Sequence, residues 1–143
     1  MNLEGMKAGK GLNQSALTER IIAAAITVHR ELGPGFLESI YESALAIEFD
    51  ACRIAYERQR IVPVVYRERP IGEHRLDFLV EGSVIVELKA TKALEDVHFA
   101  IVRSYLKACA LDTALLLNFA TMPLTIRRVG REHSYYDPQE TKP

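Results

Sequence analysis

The run TALLLNF, Thr113–Phe119, places apolar residues in succession with no polar alternation. That is the pattern of a strand covered on both faces, so a sheet flanked by helices on each side is required. Upstream, SVIVELKA (Ser83–Ala90) also reads as a strand. Between the two, LEDVHFAIVRSYLKACA has helical spacing, with Leu94, Val97, His98, Ile101, Tyr105 and Cys109 marking its stripe. A strand, a helix and a second strand suit a parallel, right-handed crossover, and the fold class is α/β.

The remaining segments fit around this unit. Ser15 is a candidate cap for a first helix, with Glu19 in its first turn and Ile22, Ala25, Ile26 and His29 on one face. LGPG, Leu32–Gly35, ends that helix. A second helix is predicted from about Phe36 to Arg53, with Leu37, Ile40, Tyr41, Ala44, Leu45 and Cys52 on its apolar side. RQRIVPVVYRER reads as a strand in which Pro63 requires an edge position or a bulge. EHRLDFLVE and SVIVELKA form a hairpin around EGS, and LTIRRV is a short last strand. The predicted order is α-α-β-β-β-α-β-β in one domain over residues 15–131. Residues 1–14 are expected as a flexible N-terminal arm and 132–143 as a polar C-terminal tail. A chain of 143 residues is long enough for one proper core.

A formal net charge of −1 gives no global basic field, so any nucleic acid must be held by a local patch or an oligomer. The scattered histidines lack zinc-ligand spacing. Cys52 and Cys109, in apolar helical settings, read as reduced core thiols of a cytoplasmic protein. The N-terminus has no apolar h-region and no run is long enough to span a bilayer, so no membrane partner is expected.

The hairpin carries the chemistry. With a three-residue loop of Glu81, Gly82 and Ser83, Val80 pairs with Val84 and Asp77 falls opposite Glu87. Alternation then places Asp77, Glu87 and Lys89 on one face, and Phe78, Val80, Val84, Val86 and Leu88 on the other. A two-residue loop would separate the carboxylates. Two partly buried carboxylates repel unless a proton or a cation lies between them. Oxygen ligands of this kind suit Mg²⁺ or Mn²⁺, which make water more nucleophilic and phosphate more electrophilic. Lys89 could stabilise the developing charge. The competing reading is a plain salt bridge between Lys89 and one carboxylate.

GFLESIY, Gly35–Tyr41, fits the pattern G-x-x-E-x-x-Y. Together with RLDFLVEGSVIVELKA and VHFAIVRSYLKA…ALLLNF, the chain resembles the GxxExxY family of the PD-(D/E)XK nuclease-like superfamily, over roughly Leu17–Arg131. The resemblance implies a restriction-endonuclease-like core with a central mixed sheet, and metal-dependent phosphodiester cleavage in DNA or RNA. By position it implies Asp77 and Glu87 as metal ligands and Lys89 as the catalytic lysine. Glu38 is then the acidic residue of the first core helix, reaching the metal directly or through water. The alternative for Glu38 is an exposed charge favoured by the helix dipole. Glu48 reads as a structural ion-pair residue and Tyr41 as a packing residue whose hydroxyl finds a partner.

Ile101 stands where members of that family carry a glutamine, four residues before the tyrosine of SYLKA. His98 nearby reads as a satisfied core histidine. Three functions remain open: a Mg²⁺-dependent nuclease, a degenerate nuclease fold that binds nucleic acid, and a homo-oligomeric interaction protein. Arg58, Arg60, Arg67, Arg69, Arg75, Arg127, Arg128 and Arg131 could serve the second if they share a face. A homo-oligomer, at least a dimer, is expected in any case, because it would double a small basic patch.

Overall fold

The computed structural model describes residues 10–131, and the fold is α/β with a mixed sheet. The elements are α1 (Lys10–Leu32), α2 (Glu38–Ala51), β1 (Tyr56–Tyr66), β2 (Arg69–Val80), β3 (Val84–Lys89), α3 (Asp96–Cys109), β4 (Thr113–Asn118) and β5 (Thr125–Gly130). The order is the one the periodicities predict. The expected tail and most of the expected N-terminal arm lie outside the described residues.

The sheet order is β1-β2-β3-β4-β5. Only β3 and β4 run parallel, with α3 as the connection between them, and the other pairs are antiparallel. Pro63 sits on β1, the edge strand, and a register shift follows between Val64 and Val65. A missing N–H on an outer strand breaks no interior ladder.

Helices cover both faces. On one side α1 and α2 pack Ile21, Ala25, Tyr41, Leu45 and Phe49 against Phe78, Val80, Val86, Leu88, Leu115 and Leu117. On the other, Val102 and Leu106 of α3 pack against Leu76, Ile85, Ala114, Leu116 and Val129. Consecutive leucines of β4 thus feed opposite cores, which explains the unbroken apolar run.

Several boundaries differ from the sequence reading. The first helix already runs from Lys10, so Ser15 lies inside it, and its carbonyl accepts from Thr18 Oγ1 at 2.9 Å. Gly33 ends α1 as expected, with φ +69 and its N–H on the His29 carbonyl at 2.8 Å. The second helix stops at Ala51, so Cys52 follows its end and is exposed, while Cys109 is only partly buried. Neither is a fully buried core thiol. Ile40, expected on the apolar side, is 42% exposed, whereas Glu42 is buried. The first two strands form a long hairpin whose two-residue turn, Arg67 and Glu68, has φ +48 and +65. Paired left-handed residues match the twist of a two-residue hairpin, although asparagine and glycine usually occupy them.

Candidate active site

The GxxExxY segment is a mechanical unit. Gly33 and Gly35 adopt φ +69 and +117, which L side chains rarely reach. The loop they form is tied down by Tyr41, whose hydroxyl donates to the Gly33 carbonyl at 2.5 Å and accepts from the Phe36 N–H at 3.2 Å. Its ring is fully buried and stacks on Phe119 at 4.6 Å. The consequence is a fixed start for α2, with Glu38 as its first residue. Tyr41→Phe keeps the stacking but strips two backbone groups of their partner. It is expected to destabilise the protein by about 1–3 kcal/mol in urea unfolding; a change under about 0.5 kcal/mol would mean the loop holds itself.

Across the sheet, Val80 pairs with Val84, the registry that a three-residue loop requires. The regular ladder between β2 and β3 extends only as far as Phe78 and Val86. One step further the backbones are joined through carboxylates. Asp77 N–H donates to Glu87 Oε1 at 2.8 Å, and Leu88 N–H donates to Asp77 Oδ2 at 2.9 Å. Each acidic side chain therefore spans the gap to the other strand, and the two face each other at the fork.

Burial shapes their ionisation. Glu87 is 6% exposed, and desolvation first, then the Asp77 charge, push its carboxyl up to about 9. Asp77 is also raised, chiefly by desolvation, with the charge of Glu38 adding to the rise and Lys89 opposing it. Two such groups cannot both ionise comfortably, so the pair retains a proton at neutral pH. Tyr105 of α3 overlooks them: burial, then the charges of Glu87 and Asp77, push its hydroxyl up to about 12. It stays a neutral donor. Its ring lies 4.6 Å from that of His74, which is 3.3 Å from Ser104 Oγ.

Asp77, Glu87 and Lys89 thus come together, and Glu38 is near enough to act on Asp77 through space. Glu38 does not complete a three-carboxylate cage: among the described residues no three acidic, histidine or cysteine side chains form a metal-sized group. The end of β3 is held from β4. Asn118 is fully buried, accepts from Thr91 N–H at 3.1 Å and donates to its carbonyl at 2.8 Å, just past Lys89. The Lys89 carbonyl accepts from Phe119 N–H at 2.8 Å.

Other residues take roles the sequence did not show. His98 is a helix-capping residue, not a core one: its Nδ1 accepts from Glu95 N–H at 2.9 Å. Glu48, expected in an ion pair, is in none among the described residues. The acid of α2 that pairs is Glu42, with Arg58 at 2.9 Å. Arg60 pairs with Glu57, Arg131 with Asp112, and Arg128 donates to Thr18.

A family model described as the PD-(D/E)XK nuclease superfamily matches residues 15–129. The chain belongs to the PD-(D/E)XK nuclease superfamily. The match runs from within α1 to Val129 of β5 and includes the Asp77–Glu87 fork. No curated protein and no solved structure matches the chain. No helix among its described residues is long and apolar enough to cross a membrane.

Proposed function

We propose that this PD-(D/E)XK protein is a GxxExxY-type, metal-dependent nuclease that hydrolyses phosphodiester bonds in nucleic acid. The observation that supports the reading is the Asp77–Glu87 pair: a buried carboxylate and a partly buried one face each other at a strand fork, with Lys89 beside them. This donor set fits Mg²⁺ or Mn²⁺, hard cations that take few protein oxygens and keep several waters. Asp77 and Glu87 would hold the ion, and Glu38 would reach it through water from the start of α2. When bound, such an ion supplies Lewis acidity toward a phosphate oxygen and lowers the pKa of water. The chain supplies the rest. Each carboxylate is oriented by a backbone N–H from the opposite strand. Lys89 sets an ammonium beside them for the charge that builds on phosphorus. Tyr105 adds a neutral hydroxyl donor.

Binding a cation here requires the pair to release its proton. Mn²⁺ affinity, measured by calorimetry, is therefore expected to rise steeply from pH 6 to pH 8, by up to about tenfold per pH unit for one proton. A flat profile would place the ion elsewhere. The direct test of function is cleavage of single- and double-stranded DNA and RNA with Mg²⁺ or with EDTA.

The second reading, a degenerate nuclease fold acting as a nucleic-acid-binding or self-associating protein, is favoured by one observation. Ile101, one turn from Tyr105 on α3, presents an alkyl group that can neither donate nor accept. It is 41% exposed, so an amide introduced there would stay solvated and change stability by under about 0.5 kcal/mol. Ile101→Gln is expected to raise Mg²⁺-dependent cleavage several-fold. A folded variant with no gain would show that Ile101 does not limit the reaction.

A two-fold dimer completes the reading. Net charge is −1 and Arg58, Arg60 and Arg131 are internally paired, so one chain holds a polyanion weakly. Phe36, Leu37 and Ile40 expose apolar surface around Glu38. Light scattering is expected to give a dimer; a monomer across a wide concentration range would refute it. The unpaired cysteines fit a reducing compartment such as the cytoplasm.

A further inference from the structure

Glu42 is a charged residue buried to 9% exposure on a helix whose other acids face solvent or half-exposed surroundings. Its carboxylate is occupied on both oxygens. Oε2 accepts from Arg58 Nε at 3.1 Å and Nη2 at 2.9 Å, and Oε1 accepts from Gln59 Nε2 at 2.7 Å. The same Gln59 amide nitrogen lies 3.4 Å from Asp77 Oδ1.

Gln59 reaches this place by an unusual backbone. Its φ is +52, a left-handed conformation within a strand, and it costs energy for a residue with a side chain. The regular pairing of β1 with β2 continues on either side, Arg58 with Phe78 and Arg60 with Leu76, but skips Gln59 and Asp77. The kink also reverses the faces: Phe78 packs with the α1–α2 core, whereas Leu76, two residues away, packs with the α3 core. A regular strand would have kept Leu76 and Phe78 together. The kink brings an amide onto the free oxygen of Asp77.

Asp77 Oδ2 is held by Leu88 N–H, and the carboxylate also meets the Glu87 carboxyl, both partners coming from β3. The Gln59 amide adds a donor on Oδ1 from β1, the opposite neighbour of β2. An amide is neutral, so it orients the carboxylate without cancelling the charge a cation would use. It leaves Oδ1 a further lone pair. The nearby cation, Arg58, is held off by Glu42.

We infer that Gln59 is a positioning residue: its amide, anchored by the Glu42–Arg58 ion pair, sets the orientation in which Asp77 receives a divalent cation. The inference rests on Asp77 as a metal ligand. Outer partners of metal-binding groups commonly change affinity 10–100-fold when removed.

Two variants of the full chain test it. Gln59→Gly removes the amide and suits φ +52, and the relief of that strain offsets the hydrogen bond lost from Glu42 Oε1. Gln59→Met keeps the length of the side chain without its N–H. Mn²⁺ affinity by calorimetry, metal-free thermal unfolding, and kcat and KM at saturating Mn²⁺ are measured on both, with Asp77→Asn beside them. The expected result is Mn²⁺ binding weakened 10–100-fold in both variants. Metal-free unfolding of Gln59→Gly should stay within a few degrees of the parent, and the loss of activity should fall on kcat, not KM. Mn²⁺ binding within twofold of the parent in the folded variants would overturn the inference while Asp77→Asn still loses it. A collapse of metal-free stability in both would equally overturn it, since Gln59 would then be structural. If Asp77→Asn binds Mn²⁺ as the parent does, the metal reading itself fails, and the inference with it.

Discussion

Glu87→Gln is expected to make the metal-free protein more stable and to abolish the proposed metal-dependent cleavage. The two effects have one cause. The unfolded chain releases the Glu87 proton near the ordinary value of 4.5, whereas the folded chain keeps it until about 9. Below the first value both states are protonated and the group has no effect on stability. Between the two values the folded state binds more protons than the unfolded, so stability falls as pH rises. The slope approaches about 1.4 kcal/mol per pH unit, and the raised Asp77 carboxyl acts in the same direction. Glutamine escapes this penalty. Its carbonyl can accept from Asp77 N–H as Oε1 does, and its amide can donate to the Asp77 carboxylate in place of the shared proton. At pH 7 the variant is therefore expected to be more stable by roughly 1–3 kcal/mol, with little difference at pH 4. Cleavage and the Mn²⁺-induced rise in melting temperature should both disappear, because a neutral amide replaces a ligand charge. Urea unfolding from pH 4 to pH 8 provides the check. A variant less stable than the parent throughout would mean that Glu87 is ionised and paired in the folded protein. Stability surrendered at a site that is kept for chemistry is a common compromise.

Lys89→Ala is expected to lower kcat by about 10²–10³-fold, the loss typical of removing one donor to a charged transition state. Binding of Mn²⁺ should survive, since the lysine is a cation and its field opposes a metal. Its removal should tighten Mn²⁺ modestly and release the downward pull it exerts on both carboxyls. The combination of tighter metal and lost turnover separates a catalytic ammonium from a salt-bridge partner. A lysine that merely neutralised Asp77 or Glu87 would, when removed, weaken the fold and leave turnover unchanged.

The fold was legible wherever a local pattern fixed it. TALLLNF announced a doubly covered strand. Pro63 announced an edge, and the three residues between Val80 and Val84 set the register that brings Asp77 opposite Glu87. The family-like spacing of Glu38, Asp77, Glu87 and Lys89 could be read directly. What escaped depends on geometry between distant segments. Glu42 looked like any helix acid until Arg58 and Gln59 arrived from β1. Gln59 carried no signal, because a left-handed residue in a strand follows from its surroundings and not from its own propensity. Cys52 fell outside the core because α2 ends at Ala51, two residues before the expected end at Arg53. The Arg67–Glu68 turn lacked the glycine that usually marks one. His98 appeared to be a core residue because its spacing matched the stripe, although it occupies the third helical position, where a side chain can reach back to the cap.

The most direct measurement is anomalous diffraction from crystals of the full chain soaked in Mn²⁺. One peak between the Asp77 and Glu87 carboxylates is expected, at about 2.0–2.2 Å from an oxygen of each as for small hard cations, with Glu38 within reach through a coordinated water. The peak should vanish in Glu87→Gln crystals. Manganese bound only elsewhere, or a cluster left empty by soaks that sustain full cleavage in solution, would contradict a metal-dependent active site at the β2–β3 fork.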